Sequence, residues 1–231
     1  MPVLDFELVG TDSGKVLEFP VKKVLNGGFS GRNQEKVRAH IEELAHLGVE
    51  DPGETPTFYP LVSATVTQAD AIEVVADTGN WGEAEPVLLF KGDAVYLTVG
   101  SDHTDRSLEG ASILKSKQVY PNVLARQAWP FDEIAERWDD IALSAWIGEG
   151  RKELFQEGRL GDLLPPQEMI EKARDVIDGG MDGTVFFMGT IAALTQIDFH
   201  ARFECEIRDG RIGRTISCSY ASRPLSWFKG W

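Results

Sequence analysis

The chain has 231 residues, 42% hydrophobic and 26% charged, a balance that supports a packed core and argues against disorder. Its 37 acidic and 23 basic residues leave a formal net charge of −14, which argues against a nucleic-acid binder, because phosphate recognition needs a basic face. Two cysteines, Cys205 and Cys218, make neither a disulfide framework nor a zinc cluster and are expected as reduced core residues.

The first ten residues carry Asp5 and Glu7 and lack the basic and apolar regions of a signal peptide. The longest charge-free stretches, 55–69 and 183–197, fall short of the roughly 20 residues a membrane helix needs. A soluble cytoplasmic protein without membrane contact is expected. Residues 3–9 alternate apolar and polar side chains and predict a strand, and 15–24 predict a second after a turn. Gly27-Gly28-Phe29-Ser30-Gly31 reads as a flexible loop. Asn33 is placed to cap a helix with Val37, Ile41, Leu44 and Ala45 on its apolar face and Gly48 as its stop.

Beyond an acidic loop at 51–56, short β-type runs are expected at 58–66, 71–75, 86–90 and 94–99. Residues 132–138 predict a helical turn and 141–147 a strand. Pro165-Pro166 opens a second helix, with Met169, Ile170, Ala173, Val176 and Ile177 on one face and Gly179-Gly180 beyond it. Strands at 184–188, 199–208 and 212–220 close the chain. The expected fold is α+β, mainly β. Its parts are N-terminal strands over 1–25, a main domain over 26–221, and a tail over 222–231 containing Trp227, Phe228 and Trp231.

The most informative local feature is Glu83-Ala84-Glu85 at the start of an apolar run. Residues i and i+2 of a strand share a side. Two carboxylates about 5 Å apart repel by about 3 kcal/mol at an effective dielectric near 20, a cost that a cation between them removes. Asp102 follows the run at 94–99 and can supply a third oxygen. Three carboxylates without histidine or cysteine suit Mg²⁺, Mn²⁺ or Ca²⁺ rather than zinc. In so acidic a chain such a pair is also what a solvated edge looks like. His40 and Glu43, at i and i+3, neighbour each other on one helix face, where the carboxylate can orient the imidazole as a general base.

Several short segments, in this order, resemble the fumarylacetoacetate hydrolase family in its C-terminal-domain-like form. Gly31-Arg32-Asn33-Gln34 and then His40 to Glu43 stand for its GxNY…HxxE element, and Glu83 and Glu85 for its ExE. Ser101-Asp102-His103-Thr104-Asp105-Arg106-Ser107 stands for NDxTxRD. Lys115 or Lys117 stands for its lysine, Gln156-Glu157-Gly158 for Gln-x-Gly, and Met188-Gly189-Thr190 for TGTP. The sequence departs from the pattern at Gln34, Ser101 and Ile191, and has one extra turn before His40.

The resemblance implies a mixed β-sheet roll or barrel with a few short helices. It implies that Glu83, Glu85 and Asp102 hold Mg²⁺ (or Mn²⁺ or Ca²⁺) and that the ion chelates a small anionic 2-oxo or 1,3-dicarbonyl acid. It assigns catalytic roles to His40, Glu43 and either Lys115 or Lys117, which lie two apart on a strand-like run and so share a side. Arg32, Arg106, Gln156, Gly189 and Thr190 are its substrate-binding residues. His103, facing away from Asp102, is expected to be structural. The implied activity is hydrolysis of a carbon–carbon bond through a metal-stabilised enolate. Decarboxylation, tautomerisation, hydration or dehydration on the same site, or a binder without activity, are the alternatives. A lid role for the His40 helix and a homodimer contacted through the aromatic tail are also implied.

Overall fold

The computed structural model describes residues 1–46, 48–49, 51–75, 78–195 and 199–227. An N-terminal hairpin of β1 (Val3–Leu8) and β2 (Val16–Pro20) alternates exposed and buried side chains, as a half-buried strand must. β3 (Lys23–Gly28) leads to α1 (Gln34–His46), where the Lys36 N–H donates to Asn33 Oδ1 at 3.1 Å, the cap read from the sequence. β4 (Thr57–Leu61), β5 (Val66–Thr67) and β6 (Ala71–Val74) follow. Next is a hairpin of two long strands, β7 (Asn80–Lys91) and β8 (Ala94–Asp105).

After the short helix α2 (Ile113–Ser116) come β9 (Asn122–Leu124) and β10 (Gln127–Pro130). Two 3-10 turns, Phe131–Glu133 and Ala135–Asp140, stand where one helical turn was expected. β11 (Ala142–Ile147) and β12 (Glu153–Arg159) precede α3 (Pro166–Val176), which starts at the second proline of Pro165-Pro166. β13 (Thr184–Phe187), β14 (Arg202–Asp209) and β15 (Arg214–Pro224) complete the described chain.

Ten strands form one sheet whose main path runs β2-β1-β10-β8-β7-β13-β3-β4, and five form another in the order β12-β11-β14-β15-β6. One core cluster joins Leu4, Phe6 and Phe19, at one end of the long path, to Leu61 at the other, with Val24, Val87, Leu89, Val185 and Phe187 between them. Strands at opposite ends of a sheet share a core only if the sheet curls on itself, so this face is the inside of a roll. The outer face, carrying Leu25, Ala84, Leu88, Leu97, Val99 and Phe186, packs on Phe203, Cys205, Ile216, Cys218 and Tyr220 of the second sheet. This is the mainly β roll that the resemblance implies. The N-terminal hairpin is part of it, through the parallel pairing of β1 with β10.

Both cysteines are buried and free, and they face each other across β14 and β15. Among the described residues no helix is long and apolar enough to cross a membrane. Of the expected aromatic tail, Trp227 is exposed, and Phe228 and Trp231 lie outside the described residues.

Candidate metal centre

The β7–β8 hairpin brings the three acids together. Glu83 stands opposite Asp102, and Glu85 opposite Gly100, so the pleat sends all three carboxylates to the inner face. Their oxygens lie within 4.8 Å of one another. Asp102 is fully buried and Glu85 is 1% exposed, which is a costly place for two acids unless they are paired. Lys117 Nζ forms an ion pair with Asp102 Oδ2, while Asp102 Oδ1 has no hydrogen-bond partner. Arg106 pairs with Glu83, donates to Glu109 Oε1 at 2.6 Å, and lies over the Trp81 ring at 5.1 Å.

Four carboxylates (Glu83, Glu85, Asp102 and Glu109) thus face two cations, Arg106 and Lys117. Burial and then the Asp102 charge push the Glu85 carboxyl well above its usual range, with Lys117 and the Gly189 N–H opposing the shift. Burial opposes the charge on Lys117, and Asp102, Glu83 and Glu85 more than restore it. An all-oxygen donor set and a buried oxygen without a partner, in a cluster with two more carboxyl groups than cations, fit a hard divalent cation.

The aim of the two glutamates is fixed at the residue between them. β13 stops at Phe187, opposite Val87, so a sheet partner is missing alongside Ala84. Side chains replace it. The Ala84 N–H donates to Gln156 Oε1 at 2.9 Å, and the Thr190 hydroxyl donates to the Ala84 carbonyl at 2.8 Å. Gln156 Nε2 closes the clamp on Thr190 Oγ1 at 2.8 Å and on the Ile191 carbonyl at 2.6 Å. The Gly189 N–H donates to Glu85 Oε2 at 2.8 Å. Gly189 has φ +97°, and an added Cβ would lie 1.9 Å from Ser30 Oγ, so only glycine fits this turn.

Behind Asp102 the outer face of β8 is locked to the second sheet. His103 Nδ1 lies 2.8 Å from Tyr220 Oη, which lies 2.9 Å from Ser101 Oγ. His103 Nε2 lies 2.9 Å from Asn80 Oδ1, and the Asn80 amide nitrogen donates to the Thr78 carbonyl. Asn80 therefore accepts from Nε2–H, Nδ1 accepts from Tyr220, and Tyr220 accepts from Ser101. Burial lowers the His103 pKa to about 4, which keeps the ring neutral in this chain of bonds. The sequence expectation that His103 faces away from Asp102 agrees with this placement.

Other expected site residues are placed differently. Lys115 is exposed and Lys117 is buried at Asp102. They do not share a side, because the run is the helix α2 rather than a strand, and residues two apart on a helix diverge. Ser112, whose side chain accepts from the Lys115 N–H, is the capping signal that marks the helix. Arg32 is spent on Asp139, through two bonds of 2.7 Å, and on the Leu163 carbonyl at 3.0 Å. Gln156 and Thr190 hold Ala84, and Gly189 holds Glu85, so all three serve the protein's own backbone and acid. His40 Nδ1 and Glu43 Oε2 lie 3.7 Å apart, with side chains 59% and 78% exposed. No sequence signal marks Tyr59 as a neighbour of this site. Burial raises its pKa and Lys117 opposes the rise, which puts phenol and ammonium in the same surroundings.

The family model described as "Protein of unknown function (DUF2848)" matches residues 27–220. No curated protein matches the chain. Among solved structures, the chain is similar to 2-keto-3-deoxy-D-arabinonate dehydratase complexed with magnesium and 2,5-dioxopentanoate. The TM-score is 0.63 at 16% identity, over 91% of this chain and 77% of that one. It is similar to 5-carboxymethyl-2-hydroxymuconate delta-isomerase from Mycobacterium smegmatis, with TM-score 0.64 and 17% identity over 90% and 80% of the two chains. It is also similar to yeast ynq8, a fumarylacetoacetate hydrolase family protein, with TM-score 0.60 and 13% identity over 88% and 94%. At these identities the likeness is one of fold, and the fold is that of the fumarylacetoacetate hydrolase superfamily.

Proposed function

The chain belongs to the DUF2848 family, and from that premise and the fold we propose that it is a divalent-metal-dependent enzyme acting on a small anionic 2-oxo or 1,3-dicarbonyl acid. The observation that carries this is the convergence of Glu83, Glu85 and Asp102 within 4.8 Å, with Asp102 Oδ1 unsatisfied. These three side chains would hold Mg²⁺, or Mn²⁺ or Ca²⁺. When bound, such an ion supplies Lewis acidity to the substrate's carbonyl oxygens. Lys117 adds a fixed positive charge beside Asp102, and Arg106 holds Glu83. The Gln156–Thr190 clamp and the Gly189 N–H keep Glu83 and Glu85 aimed, so the site is organised before substrate arrives.

Carbon–carbon hydrolysis is one reading of the reaction. It needs His40, oriented by Glu43, to take a proton from water, and both side chains stand in solvent, so α1 would have to close over the site. Their exposure favours a second reading, decarboxylation, tautomerisation or dehydration, which needs no water activated by this pair. Two measurements test the proposal. MgCl₂ at 100 times its dissociation constant is expected to stabilise the protein by about 2.7 kcal/mol. No shift in the melting curve would exclude the metal centre. Turnover of acetylpyruvate and oxaloacetate is then compared in two variants. Loss in both Glu85→Ala and His40→Ala identifies hydrolysis, whereas activity that survives His40→Ala and disappears in Glu85→Ala identifies the second reading.

A further inference from the structure

Inside the roll, on the same inner face as the metal centre, lies a polar side chain that the described structure does not satisfy. Val24 belongs to the inner core and Leu25 to the outer one, so the alternation of β3 turns Asn26 inward. Asn26 pairs in register with Phe187 of β13 and with Tyr59 of β4, and Phe187 pairs with Val87 of β7. Val87 is two residues from Glu85 on the same face. The row Val87–Phe187–Asn26–Tyr59 is therefore one layer along the strands from Glu85, about 7 Å, with Asn26 two strands across the curled sheet from β7, a further distance of about 10 Å measured along the sheet. Asn26 is completely buried, and neither its amide nitrogen nor its amide oxygen has a hydrogen-bond partner. Asn80 and Asn122 are equally buried, yet each engages its Oδ1 with His103.

A lone amide among Val24, Val87 and Phe187 forfeits its hydration without replacement, which a leucine there would avoid. We infer that Asn26, with Tyr59 beside it on the same face, is a specificity-determining contact that reads an oxygen on the substrate's arm, beyond its metal-binding end. The substrate class is then a hydroxylated or oxo-substituted 2-oxo acid rather than an alkyl one. An alkyl arm would leave both amide atoms unpaired, and a site built around a hydrogen bond rejects the analogue lacking it far more strongly than an apolar pocket rejects an extra group. The inference rests on the reading of Glu83, Glu85 and Asp102 as a metal centre.

The test uses the full chain with Mg²⁺ and two matched pairs of acids. These are 2-oxobutanoate with 4-hydroxy-2-oxobutanoate, and 2-oxopentanoate with 5-hydroxy-2-oxopentanoate, titrated calorimetrically. The hydroxylated member of at least one pair is expected to bind at least tenfold more tightly. Asn26→Leu should abolish that preference, raise the melting temperature and leave Mg²⁺ affinity within twofold. Asn26→Ala, which makes no demand on space, should also abolish it. Equal affinities within both pairs, or a preference that survives both substitutions, overturn the inference and leave the metal centre standing. Failure of the unmodified protein to bind Mg²⁺ overturns both.

Discussion

Asp102→Ala is expected to abolish Mg²⁺ binding and to cost the fold about 3–5 kcal/mol, the range for breaking a buried ion pair from one side. Asp102 is fully buried and Lys117 nearly so, at 0% and 8% side-chain exposure. Removing the acid takes away the direct partner of a buried ammonium and leaves it Glu83 and Glu85 as its anionic neighbours, with Arg106 opposing it. The double variant Asp102→Ala/Lys117→Met should regain part of the lost stability and none of the metal binding, because no buried ammonium is left without its direct partner while one ligand is still missing. Lys117→Met alone leaves an uncompensated excess of acids. Its melting temperature should depend more steeply on MgCl₂ than that of the unmodified protein. Urea denaturation of the three variants with and without Mg²⁺ reads all of this. An Asp102→Ala protein that keeps the unmodified Mg²⁺ response would remove the metal centre from the argument.

The sequence exposes the acids of this centre more readily than the scaffold that aims them. Glu83 and Glu85 stand out because spacing by two is meaningful on any strand, and α1 is legible because Asn33 caps it. The sequence pattern marks only part of the hairpin that carries the acids. Runs at 86–90 and 94–99 cover only the halves next to the hairpin turn, and the strands extend away from it to Asn80 and Asp105. Along that extension Glu85, Ser101, Asp102, His103 and Thr104 are all buried, so polarity no longer marks the solvent face and a period-2 reading fails. Lys115 and Lys117 were indistinguishable because a single turn of helix is too short to show its period. Gln156 and Thr190 lie in the expected neighbourhood, where their side chains bond Ala84 and the Ile191 carbonyl. Nothing in a linear pattern shows that β13 ends early and leaves Ala84 to be completed by side chains. Asn26 was invisible for a related reason, since an asparagine before two glycines reads as the start of a loop rather than as the inner face of a strand.

Gln156 provides the sharper test of how the carboxylates are held. Gln156→Leu keeps the volume and removes the three bonds that Gln156 makes in the clamp. The Ala84 N–H loses its partner and the Ile191 carbonyl its 2.6 Å donor in the interior, at about 1–3 kcal/mol each, so a total loss of about 2–6 kcal/mol is expected. A purely structural role would end there. A positioning role adds at least a tenfold loss of Mg²⁺ affinity measured on the folded protein, because Glu83 and Glu85 flank the residue that has been released. Gln156→Glu separates the two roles by pH. One carboxyl oxygen can still accept from the Ala84 N–H, but the other can replace Nε2 as a donor to the Ile191 carbonyl only when protonated. Burial and that bond raise the folded pKa of the new acid above the roughly 4.3 of an unfolded glutamate. The stability it contributes is therefore complete below that value and is lost as the pH rises through the folded pKa. The variant should be near the unmodified protein in both stability and Mg²⁺ affinity at the acid end and fall behind in both as the pH rises. Mg²⁺ affinity that stays level while stability falls would show that the clamp supports the fold without aiming the acids.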